Sequence, residues 1–166
     1  MKYCWFLLAA VLILGCASAG SGSGNGLSLS EAIEQSAEKT ARELPKGSRV
    51  AIVAFESANG DLSEYIMEEL YGALFDRGIE VADRQNLAYA FQELNFQMSG
   101  YVSDETARSI GKFLGADVVI TGQLTGFGGA YRYRTSALNV ETAARDSITR
   151  FDVRDDQKLR RMINGR

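Results

Sequence analysis

Apolar residues recur every three to four positions in five stretches of the chain, and in five others they form short runs or alternate with polar residues. The first pattern is typical of helices with one buried face, the second of strands. Strands alternate with helices and end in a pair of strands, which predicts an α/β three-layer sandwich: a mixed β-sheet flanked by helices, with a C-terminal antiparallel hairpin. The predicted helices cover residues 28–44, 61–78, 83–94, 103–115 and 157–163, and the strands 49–55, 79–82, 117–124, 130–142 and 147–155.

Residues at the ends of these segments support the boundaries. Ser28 and Glu31 have the spacing of a capping box. Asp83 and Ser103 are suited to cap the helices that follow them, and Gly115 can close the fourth helix. The glycine-rich segment 126–129 lacks the spacing of a phosphate-binding loop and precedes a strand, so it predicts a turn between strands.

The start of the chain has a different pattern. Lys2 precedes an apolar stretch, residues 3–14, which has the length of a signal-peptide core and falls short of the roughly 20 residues that span a bilayer. Ile13-Leu14-Gly15-Cys16 then resembles a bacterial lipobox. The resemblance implies that residues 1–15 are a lipoprotein signal peptide and that Cys16 is lipidated and becomes the acylated amino terminus.

Two alternatives for the leader stay open. Ala17-Ser18-Ala19 could direct ordinary secretory cleavage before Gly20, which would leave a soluble secreted protein. The apolar stretch could also remain as an uncleaved anchor helix.

The segment after the leader is a Gly/Ser tract. Residues 16–26 comprise the lipidation site and an uncharged, flexible linker. Its ten residues after Cys16 reach at most about 35 Å when fully extended. Residues 27–166 contain no comparable break and no internal repeat, and we predict that they form one domain held close to its membrane.

Composition narrows the chemistry that this domain can perform. The 166 residues include no histidine, and both cysteines, Cys4 and Cys16, belong to the first sixteen residues. After cleavage and lipidation, neither imidazole nor a free thiol would remain, which excludes His-dependent nucleophilic catalysis and zinc sites built on Cys or His. We therefore predict no catalytic residues, no metal and no cofactor, with a carboxylate-dependent enzyme as an open alternative.

Charge argues against nucleic acid as a partner. The chain has 18 basic and 21 acidic residues, a formal net charge of −3. Such a surface does not attract phosphate backbones over long range. The adjacent carboxylates Glu68-Glu69 and Asp155-Asp156 are expected to be solvated, because neighbours on a helix point in different directions.

One predicted strand carries a candidate protein-interaction site. Tyr131 and Tyr133 alternate with Arg132 and Arg134, so that one side of the strand is aromatic and the other basic. Exposed Tyr and Arg are the residue types that dominate protein interfaces. The alternative interpretation is that the tyrosines pack under a helix and the arginines are solvated.

The same strand contains a conflict of parity. Leu138 and Val140 fall on the same side as the arginines. If side chains alternate regularly along the strand and one cover extends over that whole side, the apolar residues and the arginines must be buried together or exposed together. We therefore expect either a bulge near residues 135–137 or exposure of one of the two sets.

Five stretches of the chain together carry a resemblance to a known family: VAIVAF, YIMEELYGAL, VADRQNL, FQMSGYVSDETARSIGKFLGADVVITGQL and RTSALNVETA. In this order they resemble the CsgG/LpoB-like family of bacterial envelope lipoproteins, whose domain is related to the N-terminal domain of TolB. The resemblance covers residues 27–163 and implies the α/β domain predicted above. The lipobox fits the same family independently.

The two branches of that family imply different functions. LpoB-like proteins are activators that dock on a bifunctional peptidoglycan synthase, whereas CsgG-like proteins build a secretion channel for curli subunits. A channel needs further long segments of alternating sequence that face lipid. The only candidate here, residues 130–155, supplies one hairpin and contains five arginines, which are costly against hydrocarbon.

The resemblance therefore implies a lipoprotein, in the outer membrane and facing the periplasm, that binds a protein and activates or regulates peptidoglycan synthesis. The partner would be a peptidoglycan synthase or an outer-membrane assembly component, with the lipid anchor in the membrane. The alternatives are a CsgG-like accessory of outer-membrane assembly or secretion and a carboxylate-dependent envelope hydrolase. The short linker predicts a partner near the membrane.

Overall fold

The computed structural model describes residues 26–94 and 102–165. The predicted signal peptide, Cys16 and the predicted linker up to residue 25 lie outside these residues, so the expectations about them remain predictions. The described residues form one α/β unit with a five-stranded mixed sheet between two layers of helices. The predicted fold class is confirmed.

The elements fall close to their predicted positions. The helices are α1 (Leu29–Glu43), α2 (Gly60–Phe75), α3 (Arg84–Glu93), α4 (Asp104–Leu114) and α5 (Gln157–Asn164). The strands are β1 (Arg49–Glu56), β2 (Glu80–Val81), β3 (Val118–Phe127), β4 (Ala130–Asn139) and β5 (Arg145–Val153). No helix within residues 26–94 and 102–165 is long and apolar enough to cross a membrane.

Several boundaries differ from the predictions by one to three residues, and for two of them the structure shows the reason. The start of α2 is one residue earlier because Asn59, and not Asp61, caps it: the Asn59 side chain accepts a hydrogen bond from the Leu62 amide at 2.8 Å. β4 ends early because the Asn139 side chain accepts hydrogen bonds from the backbone amides two and three residues further along the chain, at 3.1 and 3.0 Å. These bonds turn the chain toward β5.

The predicted capping residues are confirmed. At the start of α1, the Glu31 amide donates to Ser28 Oγ at 3.2 Å and the Ser28 amide donates to the Glu31 carboxylate at 2.7 Å. The hydrogen bonds to the Glu31 carboxylate lower its pKa. Asp83 and Ser103 cap α3 and α4, and Gly115 closes α4 at φ 64°.

The strand order is β2-β1-β3-β4-β5. β1 pairs in parallel with β2 and β3, whereas β3, β4 and β5 form antiparallel pairs. Gly128 and Gly129 join β3 to β4 with φ angles of 57° and 83°. Positive φ at both central residues is what a tight two-residue hairpin turn requires, and the predicted turn at residues 126–129 is confirmed.

One face of the sheet, which we call the closed face, is covered by α1, α2 and α5 along its length. Its core includes Ile33 of α1, Ile66 of α2, Ile120 of β3 and Leu159 of α5, each at most 1% exposed. A buried hydroxyl cluster also joins α1 to the last two strands. It consists of Ser36, Thr135 and Thr149, with oxygen-oxygen distances of 2.6 to 3.1 Å.

Candidate protein-interaction site

The other face of the sheet is covered over only part of its length. α3 and α4 pack at the end where β3 begins, against Val119, Leu138 and Val140. Toward the β3–β4 turn, no described element covers this face, and we call the uncovered surface the open face. It comprises Glu56 of β1, Thr121, Gln123 and Thr125 of β3, Arg132, Arg134 and Ser136 of β4, and Ile148, Arg150 and Asp152 of β5.

The structure divides the four predicted interaction residues between the two faces. Tyr131 packs partly buried against the core of the closed face, and Tyr133 is 0% exposed there, with its ring centroid 5.4 Å from that of Phe55. Tyr133 cannot contact a partner in this structure, and that part of the prediction is wrong. Arg132 and Arg134 lie on the open face, and they stay candidates.

The conflict of parity in β4 is resolved by partial covering. α4 covers Leu138 and Val140, while the two arginines lie on the same side of the strand beyond the reach of α4. The arginines are therefore the exposed set. A bulge is also present, but it lies in β5, where Asp146 is an extra residue opposite the step from Ala137 to Leu138.

The surroundings of the two arginines differ. Arg132 Nε lies 3.1 Å from Asp152 Oδ1, and the Arg132 guanidinium lies 4.7 Å from the centroid of the Phe127 ring. Arg134 is directly opposite Arg150 of β5, and neither has an ion-pair partner among the described residues. Like charges at opposed positions destabilise a sheet. The pair therefore does not stabilise the domain. A negatively charged partner bound to this face would explain why two arginines lie opposite each other here.

Charge changes sign across the open face. Glu56, Gln123, Arg134 and Arg150 are consecutive cross-strand neighbours on four strands. With strands about 4.8 Å apart, this row spans roughly 14 Å. A protein surface with acidic groups over β4 and β5 would be complementary to it.

A concave cleft of about 310 Å³ adjoins this row. On its wall, the Arg145 guanidinium binds the Asp104 carboxylate of α4 at 2.6 Å and also donates to Ser136 Oγ. Thr121, Gln123 and Arg134 supply hydrogen-bonding groups to the remaining surface. Donors in this arrangement can hold a carboxylate or a backbone carbonyl of a bound chain.

Sequence reasoning did not identify Arg150, Gln123 or Glu56 as members of this surface. Their alignment depends on the register of three strand pairs, including the one-residue bulge in β5. The alternation of side chains along β5 could have suggested on which side of the sheet Arg150 lies, but not which residue of β4 lies opposite it. Nowhere in residues 26–94 and 102–165 do three or more metal-ligating side chains come together.

The paired carboxylates have structural contacts. Glu68 is 3.3 Å from the Arg84 guanidinium. The Asp155 carboxylate accepts two hydrogen bonds from Arg160, at 2.9 and 2.8 Å, and these bonds lower its pKa. Asp156 caps α5. The expectation of solvated carboxylates therefore left out the ion pairs of Glu68 and Asp155 and a helix cap.

Comparison with known proteins identifies the fold. No protein-family model and no curated protein matches the chain. The LpoB C-terminal domain from Salmonella enterica is similar with a TM-score of 0.67 and 18% identity, over 78% of this chain and 100% of that domain. The corresponding Escherichia coli domain gives 0.64 and 19%, over 76% and 98%.

The solution structure of E. coli LpoB is also similar, with a TM-score of 0.64 and 16% identity over 93% of this chain and 81% of that one. None of these three structures is a CsgG-type protein, and the CsgG part of the resemblance stays a prediction. At such low identities the likeness concerns the fold. The chain has the α/β fold of the LpoB C-terminal domain.

Proposed function

We propose that the chain is a membrane-anchored periplasmic lipoprotein that binds a peptidoglycan synthase through its open face and activates it. The observation that carries this proposal is the opposed pair Arg134 and Arg150, in a domain with the LpoB fold. Neither arginine has an ion-pair partner among the described residues, and no described element covers their face of the sheet. The similarity of the fold to the LpoB C-terminal domain supports a protein-binding accessory role. The row of Glu56, Gln123, Arg134 and Arg150 is the surface that we assign to this binding.

The contacts of the open face support binding rather than catalysis. Among the described cleft residues the carboxylates are Glu56 and Asp104, and Asp104 is bound by Arg145 at 2.6 Å. An acid–base pair needs two carboxyl groups free to exchange protons with a substrate. The free guanidinium groups favour an anionic protein surface instead, because Arg recognises carboxylates through paired donors.

Charge reversal on the open face tests the proposal. We expect Arg134→Glu with Arg150→Glu to lower the affinity for the synthase by at least about tenfold, since two attractive contacts become repulsive. The measurement is binding of the mature protein to the purified synthase of the same organism, together with the rate of glycan polymerisation. Affinity should also fall as ionic strength rises.

The matched control is Arg42→Glu with Arg161→Glu, which makes the same change of net charge on α1 and α5. This control should bind and activate like the wild type. Unchanged binding by the open-face variant would exclude this surface, and an unchanged synthase rate with wild-type protein would exclude activation altogether.

Mass spectrometry of the mature amino terminus checks the anchor: acylated Cys16 supports it and unmodified Gly20 contradicts it.

A further inference from the structure

The chain enters the domain at the same end of the sheet as the β3–β4 turn. Leu27 lies beside the end of β5: its amide donates to the Asp152 carbonyl and its carbonyl accepts from the Arg154 amide, both at 2.9 Å. Val153, the bridge partner of Leu27, is paired with Tyr131, one residue after the start of β4. With strands about 4.8 Å apart, the entry point is about 10 Å across the sheet from the β3–β4 hairpin.

Gly26 fixes this entry point. A Cβ at Gly26 would lie 2.9 Å from the Asp152 carbonyl oxygen and 3.0 Å from the Arg154 amide nitrogen, and the φ of Gly26 is +140°. Only glycine lets the chain come this close to the edge of β5 in that conformation. The described chain therefore begins, at Gly26 and Leu27, beside the end of β5 that pairs with the start of β4.

The tip of the β3–β4 hairpin is uncharged and apolar at its apex. Residues 124–131 have the sequence LTGFGGAY, without a charged side chain. Phe127 is 66% exposed, and behind it the Arg132 guanidinium lies 4.7 Å from the ring centroid. Arg132 Nε pairs with Asp152 Oδ1 at 3.1 Å, and Arg132 has no other ion-pair partner among the described residues. Exposed apolar side chains such as Phe, with basic residues beside them, are typical of segments that lie at a membrane–water interface. The long side chain of an arginine there can extend to the headgroups.

We propose that the tip of the β3–β4 hairpin, through Phe127 and Arg132, contacts the phospholipid surface to which the chain is anchored. This inference rests on the proposed anchoring at Cys16. The ten residues between Cys16 and Leu27 span at most about 35 Å, and their root-mean-square span is about half of that. Because Leu27 enters the domain about 10 Å from the hairpin, a tether of this length allows the hairpin tip to reach the lipid headgroups.

A pair of tryptophan variants tests the contact. The chain from Cys16 onward has no tryptophan and Cys16 as its only cysteine, so Phe127→Trp introduces a single tryptophan, which is excited at a wavelength that tyrosine does not absorb. Phe75→Trp is the matched control: Phe75 is 63% exposed, and it lies at the end of α2, at the opposite end of the sheet, near the start of β1. Circular dichroism and melting temperature should confirm that both variants fold.

The mature chain, residues 16–166, would be coupled through the Cys16 thiol to a maleimide lipid in vesicles of phosphatidylethanolamine and phosphatidylglycerol. Chemical coupling makes the result independent of whether cells lipidate Cys16, so failure here is distinct from failure of the proposed function. We expect the tryptophan emission of the Phe127→Trp variant to shift to shorter wavelength on coupling and to be quenched by lipids brominated on the acyl chain. The Phe75→Trp variant should show neither effect.

Equal quenching of the two variants, or no quenching of either, would overturn the proposal. A blue shift of the Phe127→Trp emission that requires added synthase, without quenching by brominated lipid, would also overturn it and assign the tip to a protein contact.

Discussion

The closed face and the open face belong to the same sheet, and they differ in how much of their length the helices cover. On the closed face, α1, α2 and α5 bury side chains from one end of the strands to the other. On the other face, α3 and α4 stop at Leu138 and Val140 and leave Arg134 and Arg150 outside. Adjacent residues of one strand therefore have opposite roles: Tyr133 is core, whereas Arg134 is surface.

This difference separates stability from binding within one strand. Residues of the closed face contribute apolar burial, so their loss is measured as a lower free energy of unfolding. Residues of the open face contribute little burial, and Arg134 with Arg150 introduces repulsion. Substitutions on the two faces should therefore act on different measurements.

The largest expected effect is on the closed face. Ile120→Ala should lower the free energy of unfolding by about 2–5 kcal/mol, because Ile120 is 1% exposed and its loss leaves a cavity. Ile148→Ala, at a 45% exposed position of the open face, should cost about 0.5 kcal/mol. Urea unfolding of both variants checks the comparison, and equal costs would mean that the open face is covered in solution.

A smaller effect of opposite sign is expected at Tyr133. Its hydroxyl is buried, and no described group meets it with hydrogen-bond geometry. Burial raises the pKa of the phenol, and the nearby Ser36 hydroxyl offsets only part of that effect. Tyr133→Phe should therefore leave the free energy of unfolding unchanged or raise it by about 1 kcal/mol. A loss greater than about 1 kcal/mol would show that the hydroxyl is bonded in solution.

The same variant has a pH dependence with a defined sign. Above about pH 10 the unfolded tyrosine ionises while the buried one stays neutral, which favours the unfolded wild type. The free energy of unfolding of the wild type is therefore unaffected by this ionisation below that pH and falls as the pH rises above it. The advantage of Tyr133→Phe should grow accordingly, as thermal unfolding at neutral and alkaline pH would measure.

The smallest effect on stability is expected at the arginine pair. Arg134→Thr with Arg150→Thr should raise the free energy of unfolding by about 0.2–1 kcal/mol, because a like-charge pair is removed and threonine suits a strand. High salt should reduce this gain. A melting temperature well below that of the wild type would show that the arginines have a structural role, and would weaken their assignment to binding.

Local features of the fold could be predicted from the sequence because they depend on neighbouring residues. The capping box of Ser28 and Glu31, the caps at Asp83 and Ser103, and the turn at Gly128 and Gly129 each involve at most four consecutive positions. The start of α2 was predicted one residue late, because Asn59 and Asp61 are both good capping residues and the structure uses Asn59.

The candidate site could be predicted only in part. Alternation in β4 separates Tyr131 and Tyr133 from Arg132 and Arg134, since side chains alternate in every strand. It does not say which set a helix covers. Burial of Tyr133 follows from the position of α1 and of Phe55, both distant in sequence.

The sequence by itself therefore determined the α/β order of elements, the ends of most helices and the two-sided character of β4, because these depend on short-range periodicity and capping. The tertiary structure alone decided that α4 covers Leu138 and Val140 but does not extend over Arg134. It also decided that the bulge in β5 sets Arg150 opposite Arg134 and that the chain enters the domain at Gly26, beside the β3–β4 hairpin. These arrangements arise from strand register and helix placement, which join residues far apart in the chain.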